Sequence, residues 1–177
     1  MKKNLLLSIT TFVLLLNCSI VDELTKFDID YQTNYSIAPT TLINSPFSIF
    51  TPDVTTESES TFENNNTRTD LIESIKLKNI KLTIESPEDG TFNFLKEIHV
   101  YIEANDIDEV EIANRFNLED INSNTIQLDI IDEELKAFIK KESYKLRVKT
   151  VTDETISETH TIIIDTKFRV DAKILGV

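Results

Sequence analysis

From Phe27 the chain alternates without a break: Phe27, Ile29, Tyr31, Thr33, Tyr35 and Ile37 fall on one side, Asp28, Asp30, Gln32, Asn34 and Ser36 on the other. Successive side chains of an extended backbone point to opposite faces, so period two over this length predicts a strand buried on one face. The same alternation returns near the end, where Tyr144, Leu146 and Val148 interleave with Lys145, Arg147 and Lys149, and Ile162, Ile164, Thr166, Phe168, Val170, Ala172 and Ile174 share even positions. Between these lie Leu71 to Glu85, a strand around Ile98, Val100 and Ile102, a short one over Val110 to Phe116, and another at Ile126, Leu128 and Ile130. Within Leu71 to Glu85 the apolar phase slips between Leu77 and Ile80. A one-residue slip would turn the core face to solvent, so a β-bulge is expected at Lys78-Asn79.

The breakers divide these runs. Ser86-Pro87-Glu88-Asp89-Gly90 reads as a turn in which Gly90 supplies a positive φ, and Asn105 to Glu109 reads as a second turn. Residues 38–69 hold Pro39, Pro46 and Pro52 and are rich in Ser, Thr, Glu and Asn. Proline cannot donate to a ladder, so only short or edge strands fit there, at Phe47-Ser48-Ile49 and Val54 to Thr56. A stretch this long is unusual in a compact domain, and Phe47, Ile49, Phe50 and Phe62 would anchor it as a strap across the sheets. One helix is predicted at 133–141: Asp132 caps it, Glu133 and Glu134 fill its first turn, Leu135, Phe138 and Ile139 form its apolar stripe, and Lys140 and Lys141 close it.

About seven alternating strands with one helix predict a mainly β fold, an antiparallel β-sandwich, because a parallel sheet needs a helix at nearly every crossover. The arrangement resembles the immunoglobulin-like sandwich of many small bacterial lipoproteins, and in strand order and its one helix it is similar to plant late-embryogenesis-abundant type 2 domains. If the last two strands form a hairpin, core faces must oppose one another. Val151 then lies opposite Ser157, the loop is Thr152 to Ile156, Leu146 faces Ile162, Tyr144 faces Ile164, and Lys145, Arg147 and Lys149 point outward beside Thr159 and Thr161.

The N-terminus reads as an address. Lys2 and Lys3 precede Leu5 to Leu16, an apolar run of 12 residues interrupted by Ser8, Thr10 and Thr11. That is the length of a signal-peptide core and short of the roughly 20 residues that span a bilayer. The run ends at Leu15-Leu16-Asn17-Cys18-Ser19, which resembles the lipobox of bacterial lipoproteins. The resemblance implies that residues 1–17 are a removed signal, that Cys18 carries diacylglycerol on its thiol and an acyl chain on its new amino group, and that residues 18–26 form a lipidated tether to a single domain at 27–177. Asn17 departs from the small residue preferred before the Cys. Ser19 in place of Asp after the Cys implies the outer membrane, hence a lipid-anchored protein of the bacterial cell envelope.

Composition then removes whole classes of function. There are 31 Asp and Glu against 18 Lys and Arg, a formal charge of −13, the wrong sign for neutralising nucleic-acid phosphates. The two glycines, Gly90 and Gly176, cannot build a phosphate-cradling loop, and a single Cys excludes an intrachain disulfide and a Cys-type zinc site. A hydrolytic triad would have to use His99, on an outward phase, or His160, at the start of the last strand. Neither is matched to a nucleophile, so no catalytic residue and no cofactor is assigned.

Asp120-Ile121-Asn122-Ser123-Asn124 copies the first positions of a calcium loop, but Thr125 replaces its Gly and Ile131 its closing Glu, so it reads as a solvated turn. Asn105-Asp106-Ile107-Asp108-Glu109 reads likewise. Sugar platforms rely on exposed aromatic faces; there is no Trp, and of the four Tyr only Tyr101 faces outward by pattern. These readings point to a non-enzymatic binding or assembly module anchored through Cys18, with Lys145, Arg147 and Lys149 either a solvated strand face that discourages edge aggregation or a candidate strip for an acidic protein partner. The rival expectation is an extracytoplasmic carbohydrate- or cation-binding module.

Overall fold

The computed structural model describes residues 25–118 and 121–173. Cys18, the signal, most of the tether and Asp120 lie outside the described residues. Ten strands run as β1 (Lys26–Ile37), β2 (Phe47–Phe50), β3 (Val54–Thr55), β4 (Ile72–Ser86), β5 (Leu95–Ala104), β6 (Ile107–Arg115), β7 (Thr125–Gln127), β8 (Asp129–Ile130), β9 (Ser143–Thr152) and β10 (His160–Ala172). They form two antiparallel sheets packed as a sandwich, a four-stranded sheet in the order β1-β10-β4-β7 and a six-stranded sheet in the order β2-β9-β5-β6-β8, with β3 also on β9. None of the helices among the described residues is long and apolar enough to cross a membrane.

Alternation places the side chains as the sequence dictates. Ile29, Tyr35 and Ile37 of β1, Ile162, Ile164, Phe168 and Val170 of β10, and Tyr144, Leu146 and Val148 of β9 are buried in one core between the sheets. The bulge on β4 falls where the phase slip requires it. Asn79 pairs with Lys167 and Leu77 with Phe168, so Lys78 is the extra residue, and Leu77 and Ile80 both reach the core.

The predicted β9–β10 hairpin does not form. β9 pairs with β2, β3 and β5, whereas β10 pairs with β1 and β4, so the two strands lie in opposite sheets with their even residues facing each other across the core. Parity gives the buried face of a strand but not its sheet, because both inner faces of a sandwich alternate alike. Residues 153–159 carry the chain between the layers, held by the bridge between Thr40 and Ile156. Thr161 therefore lies beside Ser36 of β1, away from Lys145, Arg147 and Lys149.

Two further expectations change. Gly90 has no left-handed φ; it is required for close approach, since a Cβ there would sit 2.9 Å from Ile84 Cγ2 and 3.0 Å from the Pro87 carbonyl. The helix expected at 133–141 contracts to one turn, α2 (Lys136–Ile139). Its acidic start is turned mostly to β4: Asp132 pairs with Lys76 at 2.7 Å, and Glu134 accepts from the Ser74 hydroxyl at 2.6 Å and the Ile75 amide at 2.9 Å, keeping one bond to the helix, from the Lys136 amide at 3.0 Å. Leu135, Phe138 and Ile139 still pack into the core. A separate helix, α1 (Ser58–Asn64), lies within the strap and buries one side chain, Phe62, against Phe27.

Candidate binding face

The outer face of the four-stranded sheet shows what a solvated strand surface looks like in this protein. Asp28 meets Lys78 at 2.7 Å and Arg169 at 2.6 Å, Lys167 meets Asp30 at 3.2 Å, and Asp165 meets Lys81 at 3.1 Å. The Gln32 amide and Lys81 hold the Asp165 carboxyl below its ordinary pKa against the opposing effect of burial. Asp28 and Asp30 of β1 are met by Arg169 and Lys167 of β10, and Asp165 of β10 by Lys81 of β4, so each of these charges has a partner of opposite sign.

The outer face of the six-stranded sheet is built differently. The register sets Ser48, Lys149, His99 and Asn114 in one cross-strand row and Phe50, Arg147, Tyr101 and Glu111 in the next, with Lys145 and Glu103 beyond. The Arg147 guanidinium stacks 4.0 Å from the Tyr101 ring centroid, where the ring's negative face attracts a cation. Glu109 fixes it through two hydrogen bonds, from Nε at 2.8 Å and Nη2 at 2.7 Å, while Nη1 donates to Ser48 at 3.2 Å. This pairing holds the Glu109 carboxyl below, and the Arg147 guanidinium above, their ordinary pKa values.

His99 continues the strip. Its ring stacks with Tyr101 and meets Phe116 edge-on at 5.1 Å, and its Nδ1 lies 2.7 Å from the Glu111 carboxylate, which also accepts from Asn114 at 2.9 Å. Burial pushes the Glu111 pKa up, but the hydrogen bonds from Asn114 and His99 outweigh it and leave it lowered. Phe50 and Phe116 flank this cluster with 52% and 48% of their surface exposed. At the end of the same face, Asp53, Glu103, Asp106, Asp108, Glu109 and Lys145 border an open cleft of about 520 Å³.

Lys145, Arg147 and Lys149 do share this outer face, as their parity requires, but on a central strand and facing carboxylates. Lys145 lies 3.4 Å from Glu103, Arg147 is clamped by Glu109, and Lys149 lends its charge to Glu111. They are the positive half of a mixed surface. Tyr101 points outward, with its ring covered by Arg147. His160 is almost fully buried, its ring edge-on to Phe94 at 5.0 Å. In the loop resembling a calcium site, the Ser123 hydroxyl is engaged with the backbone of Thr125, and no group of three metal-ligating side chains assembles among the described residues.

Sequence reasoning missed Phe50, Phe116 and Glu109 as members of the face. Phe50 carries the one available signal, since it shares outward parity with Ser48. Glu109 belongs to a strand that begins at Ile107, three residues before the predicted one, because the turn needs only Asn105 and Asp106.

No protein-family profile and no curated protein sequence matches the chain. Among solved structures it is similar to the decameric BFDV capsid protein, at 8% identity and TM-score 0.41 over 84% of this chain and 98% of that one. It is also similar to CBM32-3 of a family 31 glycoside hydrolase from Clostridium perfringens, at 13% identity and TM-score 0.34 over 86% and 94%.

Proposed function

We propose that this chain is a lipid-anchored recognition module of the bacterial cell envelope, without enzymatic activity, which binds a protein partner through the outer face of its six-stranded sheet. The observation that carries the reading is the contrast between the two outer faces of one sandwich. Cross-strand ion pairs suffice to solvate the four-stranded sheet. The other exposes Phe50 and Phe116 on either side of a preordered Arg147–Tyr101 stack, and exposed aromatic residues with a fixed Arg are the composition of interaction hot spots. Charges of both signs around that stack would orient a partner of mixed charge. The Leu15 to Ser19 resemblance supports anchoring through Cys18, and Ser19 supports the outer membrane as destination.

Recovery of partners from detergent-solubilised membranes tests the face, comparing the native chain with Phe50→Ser, Arg147→Glu and Phe116→Ser combined. A partner enriched by the native chain and lost with the triple variant supports the reading; equal recovery rejects it. A specific glycan-array signal, or a large rise in melting temperature with calcium, would reassign the protein to carbohydrate or cation binding. Mass spectrometry of the mature protein, with Cys18→Ser as companion, tests the anchor. An unmodified Cys18, or a substituted protein still in the membrane fraction, rejects it.

A further inference from the structure

Sheet edges are templates for another strand, and proteins usually shorten, bend or charge them. Here three ends of the two sheets are treated that way. β7 has three residues and β8 two, and β2 has four between Pro46 and Pro52. The part of β6 that β8 leaves uncovered carries Asp108, Glu109 and Glu111 beside a bulge. β1 is the exception. Among the described residues it ends the four-stranded sheet, pairs with β10 over twelve residues without a register shift, has neither proline nor lysine from Phe27 to Ile37, and its two acids, Asp28 and Asp30, are already paired with bases of its own sheet.

The direction of its backbone groups follows from one bond. The Ala172 amide donates to the Thr25 carbonyl at 3.1 Å. Counting along the antiparallel register from that pair turns the N–H and C=O groups of odd β1 residues toward β10 and those of the even residues, Asp28 to Ser36, toward the open edge. On the core side of this edge Phe27, Tyr31 and Thr33 remain half-buried while their strand neighbours Tyr35 and Ile37 are covered.

We propose that β1 is a self-association edge which pairs antiparallel with β1 of a second copy about a two-fold axis at Gln32, joining the two four-stranded sheets into one of eight strands. The charge pattern selects both the occupant and the register. Centred on Gln32, Asp28 lies opposite Ser36 of the second copy, Asp30 opposite Asn34, and Gln32 opposite itself; every carboxylate meets a neutral polar group capable of donating to it. All of these are even residues, as the backbone direction demands. A register centred on Asp30 sets that carboxylate against its own copy, and one centred on Tyr31 leaves the two Asp30 side chains diagonal neighbours. On the core side, Phe27 meets Ile37, Ile29 meets Tyr35, and Tyr31 meets Thr33, so the half-buried residues gain cover. Pairing here leaves the outer face of the six-stranded sheet untouched and is independent of the function proposed for that face.

The test is cross-linking in cells of the full chain carrying Gln32→Cys, with the chain holding only Cys18 as control. Opposed residues of a hydrogen-bonded pair have Cα atoms about 5.5 Å apart, within the range a disulfide bridges, so mild oxidation should give a covalent dimer that the control lacks. Adding Asn34→Asp and Ser36→Asp sets carboxylate against carboxylate and should cut the cross-linked fraction about tenfold, whereas adding Asn34→Lys should raise it. These side chains are exposed, so an unchanged melting temperature shows that the monomer is intact. Cross-linking at Gln32→Cys no greater than at Glu88→Cys on the distant turn, or indifferent to the charge substitutions, overturns the proposal.

Discussion

The Leu146 amide donates to the side-chain hydroxyl of Thr51 at 3.0 Å, while the Thr51 amide donates to the Leu146 carbonyl at 2.9 Å. A side chain thus completes the ladder of β9 between β2 and β3, where Pro52 interrupts the passing strand. Thr51 is buried, so Thr51→Val keeps the shape but leaves the Leu146 N–H unpaired. The expected cost is about 1–3 kcal/mol, read by urea denaturation, with Thr51→Ser close to the native value.

Glu134 is a second local keystone. Its carboxylate accepts from Ser74, Ile75 and Lys136, and these bonds outweigh the opposing effect of burial to hold its pKa below the ordinary value. Glu134→Ala strips a partner from the Ile75 amide next to the core and should destabilise by about 2 kcal/mol. Amide exchange at Ile75 and Lys136 should rise more than at β10.

Gly90 occupies space that no side chain can share. With Ile84 Cγ2 at 2.9 Å and the Pro87 carbonyl at 3.0 Å from an added Cβ, Gly90→Ala must push the turn off the end of β4. A loss of about 1–3 kcal/mol is expected from overpacking, measured as a shift in denaturation midpoint at constant slope.

Acid should destabilise the fold in a defined window. Asp28, Glu109, Glu111, Glu134 and Asp165 all have pKa values lowered by folding. A carboxylate with a depressed native pKa contributes stability that is complete above its unfolded value, about 4, and is lost as pH falls through the native one. Melting temperature should therefore be nearly flat from pH 7 to 5 and fall steeply below about 4. A profile that rises on acidification contradicts this sign.

What the sequence disclosed about the fold was facing rather than neighbourhood. The phase slip located a bulge to the step Lys78-Asn79, because burial on one face leaves a strand no other way to recover its register. The partners of β9 and β10 stayed hidden, since either sheet of a sandwich asks for the same alternation. Ser58–Asn64 gave no helical signal, having Phe62 as its one buried side chain, and the acids before Lys136 looked like the first turn of a longer helix when most of their hydrogen bonds go to β4. Of the candidate face, the parity of Tyr101, Arg147 and Lys149 was legible; their union with Phe50, His99 and Glu109 depends on which strands lie side by side.

Between β7 and β8 the chain changes sheets within one residue. Thr125–Gln127 pairs with β4, Asp129–Ile130 pairs with β6, and Leu128 between them is buried, with its amide on the Ile80 carbonyl. The sandwich is bound there like the spine of a book, since its two covers share an unbroken thread. Its fore-edge is the opposite margin, where β1 and β2 belong to different sheets and the Tyr31 hydroxyl reaches the Thr56 carbonyl at 2.8 Å like a clasp. Parting the covers at that margin requires this clasp to break.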